Sequence, residues 1–246
     1  LDLRRTVIDE AIAADDDPEG VTAMLRHVGM QEALLDPGLD EPSAPTGLAG
    51  QFGHIIVDEA QELTDAQWRM LLRRCPSGSL TVVGDRAQSR GEFGESWSER
   101  LGRVGLSPES VRTRGLSINY RTPSEVMDAA APVIRAVRPD ANVPESVRSS
   151  GVPVEYGSVD ELARVLDEWL AESHDGVACA IVAPGAPLPN LPATDRIRAL
   201  SPAEAKGLEF DLVVLVDPDS FGAGVTGAVD RYVAMTRSTQ RLVVLR

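Results

Sequence analysis

The chain has 246 residues, of which 43% are hydrophobic, with a formal net charge of −14 and a single lysine, Lys206. That length holds one large domain or two ordinary ones, and no stretch approaches the ~18–20 apolar residues of a membrane span. The acidity argues against a strong nonspecific grip on nucleic-acid phosphate, which calls for a basic surface, while Cys75 and Cys179 alone build neither a disulfide framework nor a CxxC zinc site.

Two reduced, buried thiols fit a cytoplasmic protein. The start, Leu1-Asp2-Leu3-Arg4-Arg5, carries no signal-peptide pattern and no initiator Met, so the chain reads as a piece of a longer one. Residues 1–35 give two helical stretches, with Leu3, Val7, Ile8 and Ile12 and then Val21, Met24, Leu25 and Val28 at helical spacing. A Pro- and Gly-rich loop over 36–50 follows. His54–Val57 reads as a buried strand ending in Asp58-Glu59, and 64–74 as a helix capped by Thr64. Leu80–Val83 reads as a second buried strand ending in Gly84-Asp85. Residues 86–115 are polar with scattered Gly and Ser, with a domain boundary near 112.

Beyond it the pattern predicts a strand at Leu116–Ile118, a helix at 123–137, a strand at Val152–Tyr156 and an amphipathic helix at 159–172. Strands at Val177–Val182, Ile197–Leu200, Leu212–Val216 and Leu242–Leu245 complete the set, with a helix at 227–236. Strands alternating with helices imply an α/β fold, with parallel sheets covered on both faces.

Five segments carry chemistry. Ile55-Ile56-Val57-Asp58-Glu59-Ala60-Gln61 delivers two carboxylates to the carboxyl end of a strand, where open α/β sheets bind ligands. An Asp there can hold Mg²⁺ and a Glu can polarise an attacking water. Val82-Val83-Gly84-Asp85-Arg86-Ala87-Gln88 repeats the geometry with a neutral amide at its end. Asn119-Tyr120-Arg121-Thr122 places an arginine at a strand-to-helix turn. Ala205-Lys206-Gly207-Leu208-Glu209-Phe210-Asp211 precedes a strand, and Tyr232-Val233-Ala234-Met235-Thr236-Arg237 ends a helix just before the last one. Taken singly, the acid pair reads equally as a solvated acidic turn, and each arginine more readily as a surface ion pair.

In order and wording these five segments, from about residue 52 to 246, resemble motifs II to VI of superfamily 1 helicases of the UvrD, Rep and PcrA kind. The resemblance implies a P-loop NTPase (RecA-like) fold: residues 1–50 as the tail of an insertion, 51–112 as the C-terminal part of a first motor domain, and 113–246 as a complete second one. It implies ATP and Mg²⁺ as cofactors. Asp58 would hold Mg²⁺ through water, and Glu59 would be the catalytic base. Gln88 would sense the γ-phosphate, and Arg121 and Arg237 would stabilise the transferring phosphoryl group, a role worth on the order of 10³–10⁵ in rate in other NTPases. Glu209 and Gly207 would lie at the nucleotide, with Tyr120 near its base. Lys206 receives no clear role, contact with nucleic acid and support of its loop being the alternatives.

The sequence departs from that family in three ways. No GxxxxGK[ST] phosphate cradle is present, so the upstream part of the same protein is expected to supply it, and this piece alone is expected to be inactive. The stacking pattern after motif III is replaced by a segment whose aromatics are Phe93 and Trp97, and Ala203 stands where the UvrD group has His. Only 123–204 separates motifs IV and V, with no room for an accessory domain. These departures resemble the actinobacterial HelD-type branch, which implies RNA polymerase as partner and nucleic acid as a weaker one. A UvrD-type DNA helicase or translocase and a catalytically inactive interaction module are the alternatives.

Overall fold

The computed structural model describes residues 51–91, 94–172 and 175–246. The helices and loop expected over 1–50, and Phe93, lie outside the described residues. Ile55–Val57 forms β1 and Leu80–Val82 forms β2, parallel to it, with Ile56 opposite Thr81. Between them α1 spans Asp65–Arg74. Its start is set by Thr64: the hydroxyl accepts the Gln67 N–H at 3.3 Å, and the Gln67 side chain accepts the Thr64 N–H at 2.8 Å. Trp68 on α1 is buried against Val57, Ala60, Leu101 and Val104.

Two expectations need correction here. Both strands read as buried, yet Ile56 is 72% and Val83 48% exposed. In a two-stranded ribbon only one face rests on the Trp68 cluster, and alternate side chains point away from it. The polar segment 86–115 carries no expected element, yet Trp97–Arg103 forms α2, between short 3₁₀ turns at Arg86–Gln88 and Pro108–Ser110. Ser96 and Glu99 make a reciprocal capping box at the start of α2, with the Ser96 N–H donating to Glu99 Oε2 at 2.7 Å.

The remainder builds a larger unit. Ile118–Asn119 (β3) pairs in parallel with Glu145–Ser146 (β4), and α3 spans Ser124–Arg135 between them. Then follow β5 (Glu155–Gly157), α4 (Leu162–Ala171), β6 (Ala178–Ile181) and β7 (Ile197–Leu200). The chain ends with α5 (Pro202–Ala205), β8 (Phe210–Val216), α6 (Gly224–Met235) and β9 (Ser238–Leu245). The sheet order is β5-β9-β8-β6-β7, and every pairing in it is parallel.

Successive strand residues feed opposite faces. Cys179, Ile181, Val213, Leu215, Leu242 and Val244 pack against α3 and α6. Ala178, Ala180, Leu212, Val214 and Val243 pack against Val165, Leu166 and Trp169 of α4. A parallel sheet covered on both faces explains why these strands read as unbroken apolar runs. The fold is therefore the expected α/β class, with parallel sheets flanked by helices. Among the described residues no helix is long and apolar enough to cross a membrane.

Candidate functional site

The site lies where the carboxyl ends of β1 and β2 meet the amino edge of β8 and β9. After Val57 the chain turns sharply at Glu59, whose φ of 50° and ψ of 35° are left-handed. Such a conformation is uncommon for a residue with a Cβ and holds on the order of 1–3 kcal/mol of strain, usually at functional turns. Two bonds hold it: Ala60 N–H to the Val83 carbonyl at 3.0 Å, and the Glu59 N–H to Asp58 Oδ1 at 2.8 Å.

The turn swings Gln61 inward, where it is buried. Its Nε2 donates to Glu59 Oε2 at 2.6 Å, and its Oε1 accepts the Asp85 N–H at 3.0 Å. Asp85 in turn accepts the Ala87 N–H and the Gln88 Nε2, both at 2.8 Å. Burial pushes the Asp85 carboxyl above its ordinary value, and these two donors pull against that. Gln88 Oε1 then accepts a bond from Arg237 Nη2 at 3.4 Å. A continuous chain of polar contacts thus runs from Glu59 to Arg237.

Arg237 is buried at the end of α6, donating through Nε to the Val233 carbonyl at 3.1 Å. Burial drives its guanidinium down to about 10; the nearby Arg121 charge adds to that push, and Glu59 and Glu209 oppose it. Arg121 itself is paired with Glu209 at 3.1 Å, both half-exposed. The Asn119 side chain shapes the Arg121 turn by accepting the N–H groups of Arg121 at 2.9 Å and Thr122 at 3.1 Å. Thr122 is buried and donates to the Thr236 carbonyl at 3.4 Å, tying this turn to the end of α6.

Of the residues picked from sequence, Glu59, Gln88, Arg237, Arg121 and Glu209 come together in this arrangement, with Asp58 at its mouth. Asp58 is exposed. Gly207, with φ of +79°, makes the left-handed turn that aims Glu209. Tyr120, next to Arg121, is 71% exposed. Trp97, a candidate for base stacking, instead packs into the Trp68 cluster. Gln61 and Asp85 carry no role by sequence, and Lys206 only the alternatives of nucleic-acid contact or loop support, although each lies inside a quoted segment. Gln61 is the amide that couples β1 to β2. Lys206 Nζ lies 3.2 Å from Glu59 Oε2 and 2.7 Å from Glu62 Oε1.

The arrangement defines an α/β protein with an acid, amide and arginine site at the junction of two parallel sheets. No family model matches the chain, and no curated protein matches it. Solved structures that it matches include the arterivirus nonstructural protein 10 helicase, at 17% identity over 89% of this chain and 51% of that one, with a TM-score of 0.44. The same helicase in complex with DNA matches at 17% identity over 89% of this chain and 52% of that one, with a TM-score of 0.44. The PRRSV helicase matches at 17% over 89% and 45%, with a TM-score of 0.46. The chain spans about half the length of these helicases.

Proposed function

We propose that the chain is the C-terminal part of an ATP-hydrolysing, superfamily 1 helicase-like motor. On this reading 51–112 completes a first RecA-like domain, 113–246 is the second, and the upstream part of the protein supplies the phosphate cradle. The observation that carries the reading is the polar chain Glu59–Gln61–Asp85–Gln88–Arg237. It joins an acid at the strand end of one parallel sheet to a buried arginine at the edge of another. A nucleotide held between two domains needs that combination, because one side must activate water while the other stabilises phosphoryl charge.

Roles follow from placement. Glu59 takes a proton from the attacking water. Gln88, held by Asp85 and facing Arg237, reads the γ-phosphate. Arg237 and Arg121 meet the developing negative charge, with Glu209 holding Arg121 until nucleotide arrives. Gly207 gives the turn that presents Glu209, and Tyr120 offers an exposed ring for the base. Asp58 suits a Mg²⁺ held through water: its carboxylate is exposed, with the Glu59 N–H on Oδ1, and Mg²⁺ keeps several waters beside one or two carboxylates. When bound, the ion neutralises phosphate charge.

RNA polymerase is the proposed partner, in the manner of HelD-type factors. This finer reading is favoured by the compactness of 123–204. Among the described residues, the interval between Arg121 and Lys206 goes into α3 to α5 and β4 to β7, and Trp97, a candidate for gripping a strand, is spent on packing. One experiment tests both levels. ATP turnover by the full-length protein is measured alone, with RNA polymerase and with single-stranded DNA, beside Glu59→Gln. Turnover stimulated by polymerase, and falling ~10²–10⁴-fold in Glu59→Gln, is expected. Wild-type turnover in Glu59→Gln would sink the motor reading. Stimulation by DNA alone, with strand displacement, would favour a UvrD-type helicase, and no turnover at all an inactive module.

A further inference from the structure

The sole lysine of the chain sits on the polar chain just described. Lys206 ends α5, between a capped helix start at Ser201 and the left-handed turn at Gly207. Its side chain is 20% exposed, and its Nζ reaches two acids at once, Glu62 at 2.7 Å and Glu59 at 3.2 Å. Both acids belong to the turn after β1, in the other sheet unit. An exposed lysine–acid pair contributes only about 0–1 kcal/mol, so stability is a poor reason for this contact. Geometry gives a better one. Glu59 Oε2 already accepts Gln61 Nε2 at 2.6 Å. Lys206 adds an ion-pair contact at 3.2 Å to that same oxygen, while its ammonium donates a hydrogen bond to Glu62. Among the described residues, Oε1 accepts no hydrogen bond.

We propose that Lys206 is a positioning residue for Glu59. Lys206 and Gln61 hold Oε2 so that Oε1 alone is presented to the attacking water, whose proton it takes. The inference rests on the functional reading above. Lys206 comes from the five-stranded unit and Glu59 from the β1–β2 unit, so the base is oriented only while the two units meet. Hydrolysis is thereby coupled to closure of the cleft. Glu62 shares the ammonium, keeping Lys206 at the mouth of the β1 turn when the Glu59 carboxylate moves. Lys206 touches neither the reacting phosphoryl group nor the water in this scheme.

The test is carried out on the full-length protein, with kcat and KM for ATP and the affinity for a fluorescent ATP analogue measured in parallel. Lys206→Met should lower kcat by about 10- to 100-fold, the loss that a slightly misplaced group produces. KM and analogue affinity should stay within about 2-fold, since binding energy common to ground and transition states is untouched. Lys206→Arg should recover most of the loss. Circular dichroism checks folding, and if Lys206→Met does not fold, Lys206→Gln is read against the same outcomes. Unchanged kcat in the lysine variant, while Glu59→Gln abolishes turnover, would overturn the inference and leave the functional reading standing. A raised KM with unchanged kcat would also overturn it, because Lys206 would then be binding nucleotide. Wild-type turnover in Glu59→Gln would remove both.

Discussion

A Cβ placed on Gly84 would lie 2.7 Å from Trp97 Cζ2 and 2.8 Å from Gln61 Oε1. The glycine is therefore needed for close approach: β2 passes so near Trp97 that only a hydrogen fits, and that nearness lets Gln61 reach the Asp85 N–H. Sequence alone suggests a tight glycine turn at this position, yet the backbone of Gly84 is not left-handed; the left-handed residues of the site are Glu59 and Gly207. Gly84→Ala must move either the Gln61 amide or the indole. It should destabilise the protein by about 1–3 kcal/mol, as overpacking typically does, and shift the near-ultraviolet signal of Trp97. Urea unfolding followed by tryptophan fluorescence checks this, and an unchanged midpoint with an unchanged spectrum would contradict it. The segments holding Asp58, Glu59, Gln88, Arg121, Glu209 and Arg237 were legible as residue types at strand and helix ends. The inward turn of Gln61 and the reach of Lys206 were not: the first depends on β1 pairing with β2, and the second on the two sheet units meeting at the junction.

Elements with strong periodicity were legible in the same way. Ile197–Leu200 forms a strand over the span that its apolar run predicts, and the amphipathic stretch 159–172 becomes a 3₁₀ turn leading into α4. α2 was hidden by the glycines and serines around it, although Ser96 and Glu99 stand at capping-box spacing. The strand expected at Leu116–Ile118 meets β3 only at Ile118, and β4 is too short to show a period. The start of α3 makes a prediction of its own. Glu125, in its first turn, is gripped by the loop after β4: the Ser149 hydroxyl donates to it, as do the N–H groups of Gly151 at 2.9 Å and Ser150 at 3.2 Å. The Ser149 hydroxyl first, then the Glu125 N–H, hold this carboxyl down at about 2, and the Ser150 and Gly151 N–H groups add to them. A carboxyl depressed on folding stabilises the protein fully above its unfolded value of about 4.3. That contribution is lost as pH falls through about 2. Wild type should thus lose its advantage over Glu125→Gln across that window, as measured by melting temperature against pH. A constant difference between the two down to the lower limit would refute the grip.

At the scale of the molecule, the question is what holds the β1–β2 unit against the five-stranded one. Ala87, from the turn after β2, is fully buried in the cluster formed by α3, α6 and the large sheet. Arg138, just past α3, donates to the carbonyls of Arg86, Ser89 and Gly91, the last two at 3.0 and 2.8 Å. Arg90 meets Asp230 of α6 at 2.6 Å. That last pair is lopsided: the Asp230 side chain is 3% exposed and that of Arg90 38%. Removing the two partners should therefore have unequal consequences. Arg90→Ala strands a buried carboxylate on α6 and should cost toward the lower end of the ~3–5 kcal/mol of a broken buried pair, because water reaches the arginine side. Asp230→Asn leaves Arg90 free to turn to solvent and keeps a hydrogen-bond acceptor in place, so its cost should be about 1 kcal/mol, that of an ordinary hydrogen bond. Urea unfolding of both variants reads the difference directly. Equal losses would mean that Asp230 is rehydrated once Arg90 is gone. The Arg90–Asp230 pair would then be incidental to a junction that Ala87, Arg138, the Gln88–Arg237 bond and the Lys206 ion pairs also hold.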